Sequence, residues 1–140
     1  MLSMTEIMEA WETGKSARPF YQLEADTQVG FEYRGPQSGH PSNYASIQIT
    51  AISSADFSLE SRAVYPPSVP LPYARQLLLA VGRAAVDELF AATWYPFRGC
   101  SLLVSDVGWD EVMSSEVAVY LAARGALSEL RRNARWRMIT

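Results

Sequence analysis

Apolar residues recur at two different periods along this chain, and the change comes near Pro70. Val29, Phe31 and Tyr33 alternate with Gln28, Gly30 and Glu32. Ile47, Ile49 and Ala51 alternate with Ser46, Gln48 and Thr50, and Phe57 and Leu59 with Ser58 and Glu60. A period of two places one set on a buried sheet face and leaves the other in water, so each segment reads as a strand. Phe20 to Leu23 is a further strand candidate before them. The stretch from Gly35 to Asn43 is rich in turn formers, and Ser53 to Asp56 makes a second, tighter turn. After Pro66, Pro67, Pro70 and Pro72 the period becomes 3.6: Ala74, Leu77, Leu78, Val81, Ala85, Leu89 and Ala92 share one helical face. Pro72 sits in the first turn, where a missing amide costs nothing.

Leu102 to Ser105 reads as a strand apolar enough to be buried on both faces. Ser114 is the expected cap of a second helix, with Glu116 in its first turn, favourable to the dipole. Ala118, Ala122, Gly125 and Ala126 are spaced to let that helix approach a sheet closely, and Arg131 and Arg132 suit its C-terminal end. At the chain start, Ser3-Met4-Thr5-Glu6 has capping-box spacing, predicting a short helix to about Trp11 that Gly14 ends.

Three or four strands, a helix, a strand and a helix predict an α+β or split β-α-β two-layer sandwich. The expected form is a four-stranded, mainly antiparallel sheet from 18–63 and 99–106. Two helices, near 71–92 and 114–133, pack on one face. The 140 residues make one domain, 1–140, with 1–16 as an N-terminal helical extension. The formal net charge of -3 speaks against a general nucleic-acid binder, which needs a basic stripe. Lys15 is the one lysine among the 12 basic residues. Cys100 is the one cysteine, so no intrachain disulfide can form, which fits a reducing compartment. No stretch reaches the roughly 20 apolar residues of a membrane helix. With Glu6, Glu9 and Glu12 and no basic residue, the stretch from Met1 to Glu12 is not expected to be a signal peptide. The expectation is a cytoplasmic protein without a membrane partner.

Two stretches carry a resemblance. One is Gln37-Ser38-Gly39 followed by Asn43-Tyr44-Ala45. The other runs from Tyr95-Pro96 through Asp106 to Glu111-Val112-Met113-Ser114-Ser115-Glu116. In that order they resemble domain IV of bacterial elongation factor G, whose pattern has Gln-Ser-Gly-Gly-x-Gly-Gln-Tyr-Ala, then Tyr-Pro, then Asp-Gly-Ser-Tyr-His-Glu-Val-Asp-Ser-Ser-Glu. Val69-Pro70 and Tyr73 also match. The resemblance implies a ribosomal protein S5 domain 2-like fold with a left-handed β-α-β crossover. It also implies that the 35–43 and 106–111 loops form tips at one end of the molecule.

The tips depart from the family. His40, Pro41, Ser42 and Asn43 replace a glycine-rich run, and Asp110 stands where the family has His. A donor has become an anion that phosphate repels. Gly14-Lys15-Ser16 looks like the end of a phosphate loop, but Glu9 stands where its first Gly is required.

The resemblance implies a non-catalytic binding domain, with a ribosome, its RNA or a translation protein as partner. Its candidate binding tips are Gln37, Ser38, Gly39, His40, Asn43, Asp106, Trp109 and Asp110. The alternative is a protein-interaction or self-associating module unrelated to translation, for which a homo-oligomer is in reach. No catalytic residue, metal ligand set or cofactor is assigned. His40 is the one histidine, and Asp106, Asp110, Glu111 and Glu116 read as a solvated loop and a helix start. Arg131, Arg132, Arg135 and Arg137, beside Trp136, are the candidate RNA contacts, since arginine and an aromatic ring can stack on bases.

Overall fold

The structure, a computed structural model, describes residues 2–7, 19–35 and 44–140. Among the described residues there are six strands: β1 (Phe20–Leu23), β2 (Thr27–Arg34), β3 (Tyr44–Ser53), β4 (Ser58–Ser61), β5 (Cys100–Gly108) and β6 (Trp136–Ile139). Two long helices pack with them, α1 (Leu71–Ala85) and α2 (Glu116–Asn133). The main sheet has the order β2-β3-β5-β4. Antiparallel pairing joins β2 to β3 and β3 to β5, and β4 lies parallel to β5.

The period-two pattern explains which face is covered. Val29, Ala45, Ile47, Ile49, Ala51, Leu102, Val104 and Val107 are buried beneath the helices, while Gln28, Glu32, Gln48 and Asp106 stand in water. Leu77, Val81, Leu89, Val119, Leu127 and Leu130 meet them from the helix side. Each such side chain contributes about 1.5–3 kcal/mol on leaving water. The fold is therefore the α+β two-layer sandwich that the change of period predicts, with both helices on one side.

Several details differ from the sequence expectation. β1 does not join the main sheet; it pairs with β6, a C-terminal strand that the pattern did not reveal. After the turn at Ser53–Asp56, β4 pairs in parallel with β5 and does not pair with β3, because β5 lies between them. β5 is not buried on both faces. Its even-numbered Leu102 and Val104 point inward, and a bulge at Ser105 brings Val107 back to the core. α2 is capped by Ser115, whose hydroxyl accepts from the Ala118 amide, rather than by Ser114. α1 does not continue to 92 as one helix: at Val86–Phe90 it widens into a π-helical turn closed by the Ala91 amide on the Val86 carbonyl at 2.8 Å.

At the start, Ser3 and Glu6 form the reciprocal capping box. The Ser3 amide donates to Glu6 Oε2 at 2.7 Å and the Glu6 amide to Ser3 Oγ at 3.2 Å. Residues 4–7 are helical, and the rest of the helix expected to about Trp11 lies outside the described residues.

Candidate functional site

Tyr44 and the 110–114 turn, one from each stretch that carries the resemblance, meet at one end of the sheet. Arg34 and Tyr44, which bracket 36–43, are paired across β2 and β3. The Tyr44 amide donates to the Met113 carbonyl at 3.1 Å, and Ser114 Oγ donates to the Tyr44 carbonyl at 2.7 Å. The strand ends that bracket the first loop thus adjoin the second. Gln37, Ser38, Gly39, His40 and Asn43 themselves lie outside the described residues.

The second loop is built by its own side chains. Asp110 Oδ1 accepts from the Val112 and Met113 amides, both at 2.9 Å. The Asp110 amide donates to Ser114 Oγ at 2.8 Å. A carboxylate that gathers backbone amides in this way is a turn former. Asp110 therefore presents less of its charge to a partner than an isolated anion would. Trp109 is half-buried, edge-on to the Tyr65 and Tyr73 rings at 5.8 and 5.9 Å. Asp106 stands in β5, opposite Gln48, before the loop begins. Ser114 ties the loop to β3, Ser115 caps α2 and Glu116 pairs with Arg83 on α1. The Ser-Ser-Glu part of the resemblance thus consists of residues that build the end of the sheet. Val64, Leu71 and Val112 are exposed apolar residues in the segments that meet there.

The candidate RNA contacts lie elsewhere. α2 has 18 residues, which at 1.5 Å each separates its C-terminal end from the loop end by about 27 Å. Arg131 is turned toward Glu88, at 3.4 Å. Arg132 is exposed, with Nε donating to the Ser128 carbonyl at 3.3 Å. Arg135 is exposed in the connection to β6, where its carbonyl accepts from the Glu24 amide. Arg137 lies on β6 and reaches Gln22 at 3.3 Å. The basic segment is therefore a helix end followed by a strand, not one continuous basic helix.

The seam between the helices holds a residue that the sequence pattern did not single out. Glu88, in the π-helical turn, is buried and accepts from Arg124 Nη2 at 2.8 Å and Arg124 Nε at 3.0 Å. Its other oxygen faces Arg131. Arg83 pairs with Glu116 and Tyr120 with Asp87 along the same seam; that last bond, with some burial, raises the Tyr120 pKa. Glu88 follows Leu77, Val81 and Ala84 on the buried stripe, and a carboxylate at an expected apolar position was the available signal. Removing it leaves two guanidinium groups without their acceptor. Arg124 is 44% exposed and can rehydrate, so Glu88→Ala should cost about 2 kcal/mol rather than the 3–5 kcal/mol of a fully buried pair. Urea denaturation checks this, and an unchanged midpoint would contradict it.

Among the described residues, no group of three or more His, Cys, Asp or Glu is placed to hold a metal ion. No helix there is long and apolar enough to cross a membrane.

No family model matches the chain, and no curated protein matches it. Among solved structures it is similar to the crystal structure of ttk003000868 from Thermus thermophilus, with a TM-score of 0.67 and 20% identity. The likeness is one of fold. It covers 86% of this chain but 18% of that one.

Proposed function

We propose that this chain is a non-catalytic binding domain of the elongation factor G domain IV type, acting in the cytoplasm on the ribosome or another translation component. The observation that supports this reading is the meeting of Tyr44 with Met113 and Ser114 at one end of the sheet, through the Tyr44–Met113 and Ser114–Tyr44 bonds. Asp106, Asp110, Glu111 and Glu116 lie on β5, in the turn that follows it and at the start of α2, with Arg34 next to Tyr44 and Arg83 paired to Glu116, so this region suits a protein surface better than bare phosphate. Contact with RNA falls to Arg135 and Arg137 at the other end.

Cosedimentation with purified ribosomes tests this. Binding is expected at low salt and should weaken as salt rises, because released counterions drive it. Changing Arg135 and Arg137 together to Glu should weaken it at least tenfold. Absence of cosedimentation at low salt would defeat the reading, and so would nucleotide hydrolysis by the pure chain.

A further inference from the structure

We propose that the outer edge of β2 and the adjoining flank of α2 form a docking groove for an extended acidic peptide, which adds to the sheet as a new strand. β2 ends the sheet, since the order is β2-β3-β5-β4. Among the described residues, no backbone group pairs with its outer side. Alternate residues of an antiparallel edge strand turn both N–H and C=O outward. The eight residues of β2 therefore offer about four donor–acceptor pairs to an incoming chain. Edge strands are usually guarded by lysine or proline. β2 has neither, and its two charged residues, Glu32 and Arg34, pair with each other.

The helix side of this edge is shaped for side chains. A groove of about 360 Å³ is lined by Phe31 of β2 with Leu121, Arg124, Gly125, Ser128 and Arg132 of α2. Phe31 is 40% exposed. Its ring rests where a side chain at Gly125 would stand, 2.5 Å from that position. An added strand would set alternate side chains over Phe31 and Leu121 and beside the guanidinium groups.

Charge selects the occupant. Glu88, the acidic lining residue, already accepts from Arg124 and Arg131, so the groove is locally positive in a chain of net charge -3. An acidic peptide complements it. A second copy of this chain, paired edge to edge, would instead bring Arg124 and Arg132 of both copies together. RNA could meet the guanidinium groups, but its backbone lacks the alternating donors and acceptors that β2 presents.

The test uses the whole chain with a capped, fluorescein-labelled octapeptide, Glu-Thr-Val-Thr-Glu-Thr-Val-Thr, which sets glutamate and valine on the same strand face. The same peptide with lysine for glutamate and an octamer of uridine serve as comparisons. Fluorescence anisotropy is expected to show saturable binding of the glutamate peptide, at least tenfold tighter than the lysine peptide. Arg132→Glu, at an exposed position, should weaken it at least tenfold. Amide exchange within 27–34 should slow at least tenfold in the complex and stay unchanged with the uridine octamer. Equal affinity for the two peptides, or no binding of either, would overturn the proposal. So would protection confined to 110–114, or slowed exchange in 27–34 with the uridine octamer. Protection of 27–34 that grows with protein concentration without peptide would place a second copy in the groove and also overturn it.

Discussion

Replacing Gly99 by valine is expected to destabilise the chain by about 3 kcal/mol, at the upper end of overpacking costs. The position joins the two sheets. The Gly99 amide donates to the Tyr21 carbonyl at 2.9 Å, and its carbonyl accepts from the Leu23 amide at 3.0 Å. A Cβ there would stand 2.5 Å from the Gln22 Cα. That atom belongs to the backbone of β1, so no rotamer change relieves the clash. β1 must move away, taking with it the stack of Tyr21 on Phe97 at 4.3 Å and the edge of Trp136 on Phe97 at 5.0 Å. Thermal unfolding and tryptophan emission measure the outcome together. An unchanged melting temperature would show that β1 is not held by this contact. Gly125 is the instructive contrast: the atoms nearest a Cβ there belong to the Phe31 ring, a side chain on an edge strand that can give way.

Alkaline pH is expected to weaken the fold through Cys100. Burial pushes its thiol from 9.0 up to about 12, because a thiolate in the core would lack water. Below pH 9 both folded and unfolded chains keep the proton, and pH has no leverage there. Between pH 9 and 12 only the unfolded chain releases it, so stability falls as pH rises. The loss by pH 11 is on the order of 3 kcal/mol. Tyr65, also raised by burial from 10.0 to about 12, adds a smaller loss above pH 10, since part of its ring reaches solvent. Urea denaturation at pH 8 and pH 11 separates the two, because Cys100→Ala should abolish the thiol share and leave the tyrosine share. Equal losses in the parent and the variant would mean that Cys100 plays no part.

The alternation in 28–33 and 46–51 and the helical stripe after Pro70 were legible because each is local: neighbours in sequence decide which face is apolar. Pairing between distant segments was not. Trp136–Ile139 has too few residues for its own period to declare it, and becomes a strand because β1 waits beside it. The placement of β4 on the far side of β5 depends on how α1 returns the chain. Ser114 and Ser115 compete for one capping role, and only the bond from Ser114 to the Tyr44 carbonyl, 70 positions away in sequence, decides between them. At the candidate site, the motif named Tyr44 and Ser114, which the structure joins at one end of the sheet. It did not show that Trp109 packs between tyrosines, or that Asp110 spends its acceptors on its own turn. Arg131 was readable as a basic residue but not as one already engaged, since its partner Glu88 sits where the stripe calls for an apolar residue.

The pairing of β1 with β6 sets Phe20 opposite Ile139 and runs antiparallel from there to Leu23 and Trp136. A tension applied to residues 20 and 139 would therefore act across the strands, and would open their ladder one rung at a time. Such a zipper yields at lower force than strands sheared along their length, where all rungs resist at once. Held by these two points, the domain would give way first at β1 and β6, while the four-stranded sheet and its helices remained folded.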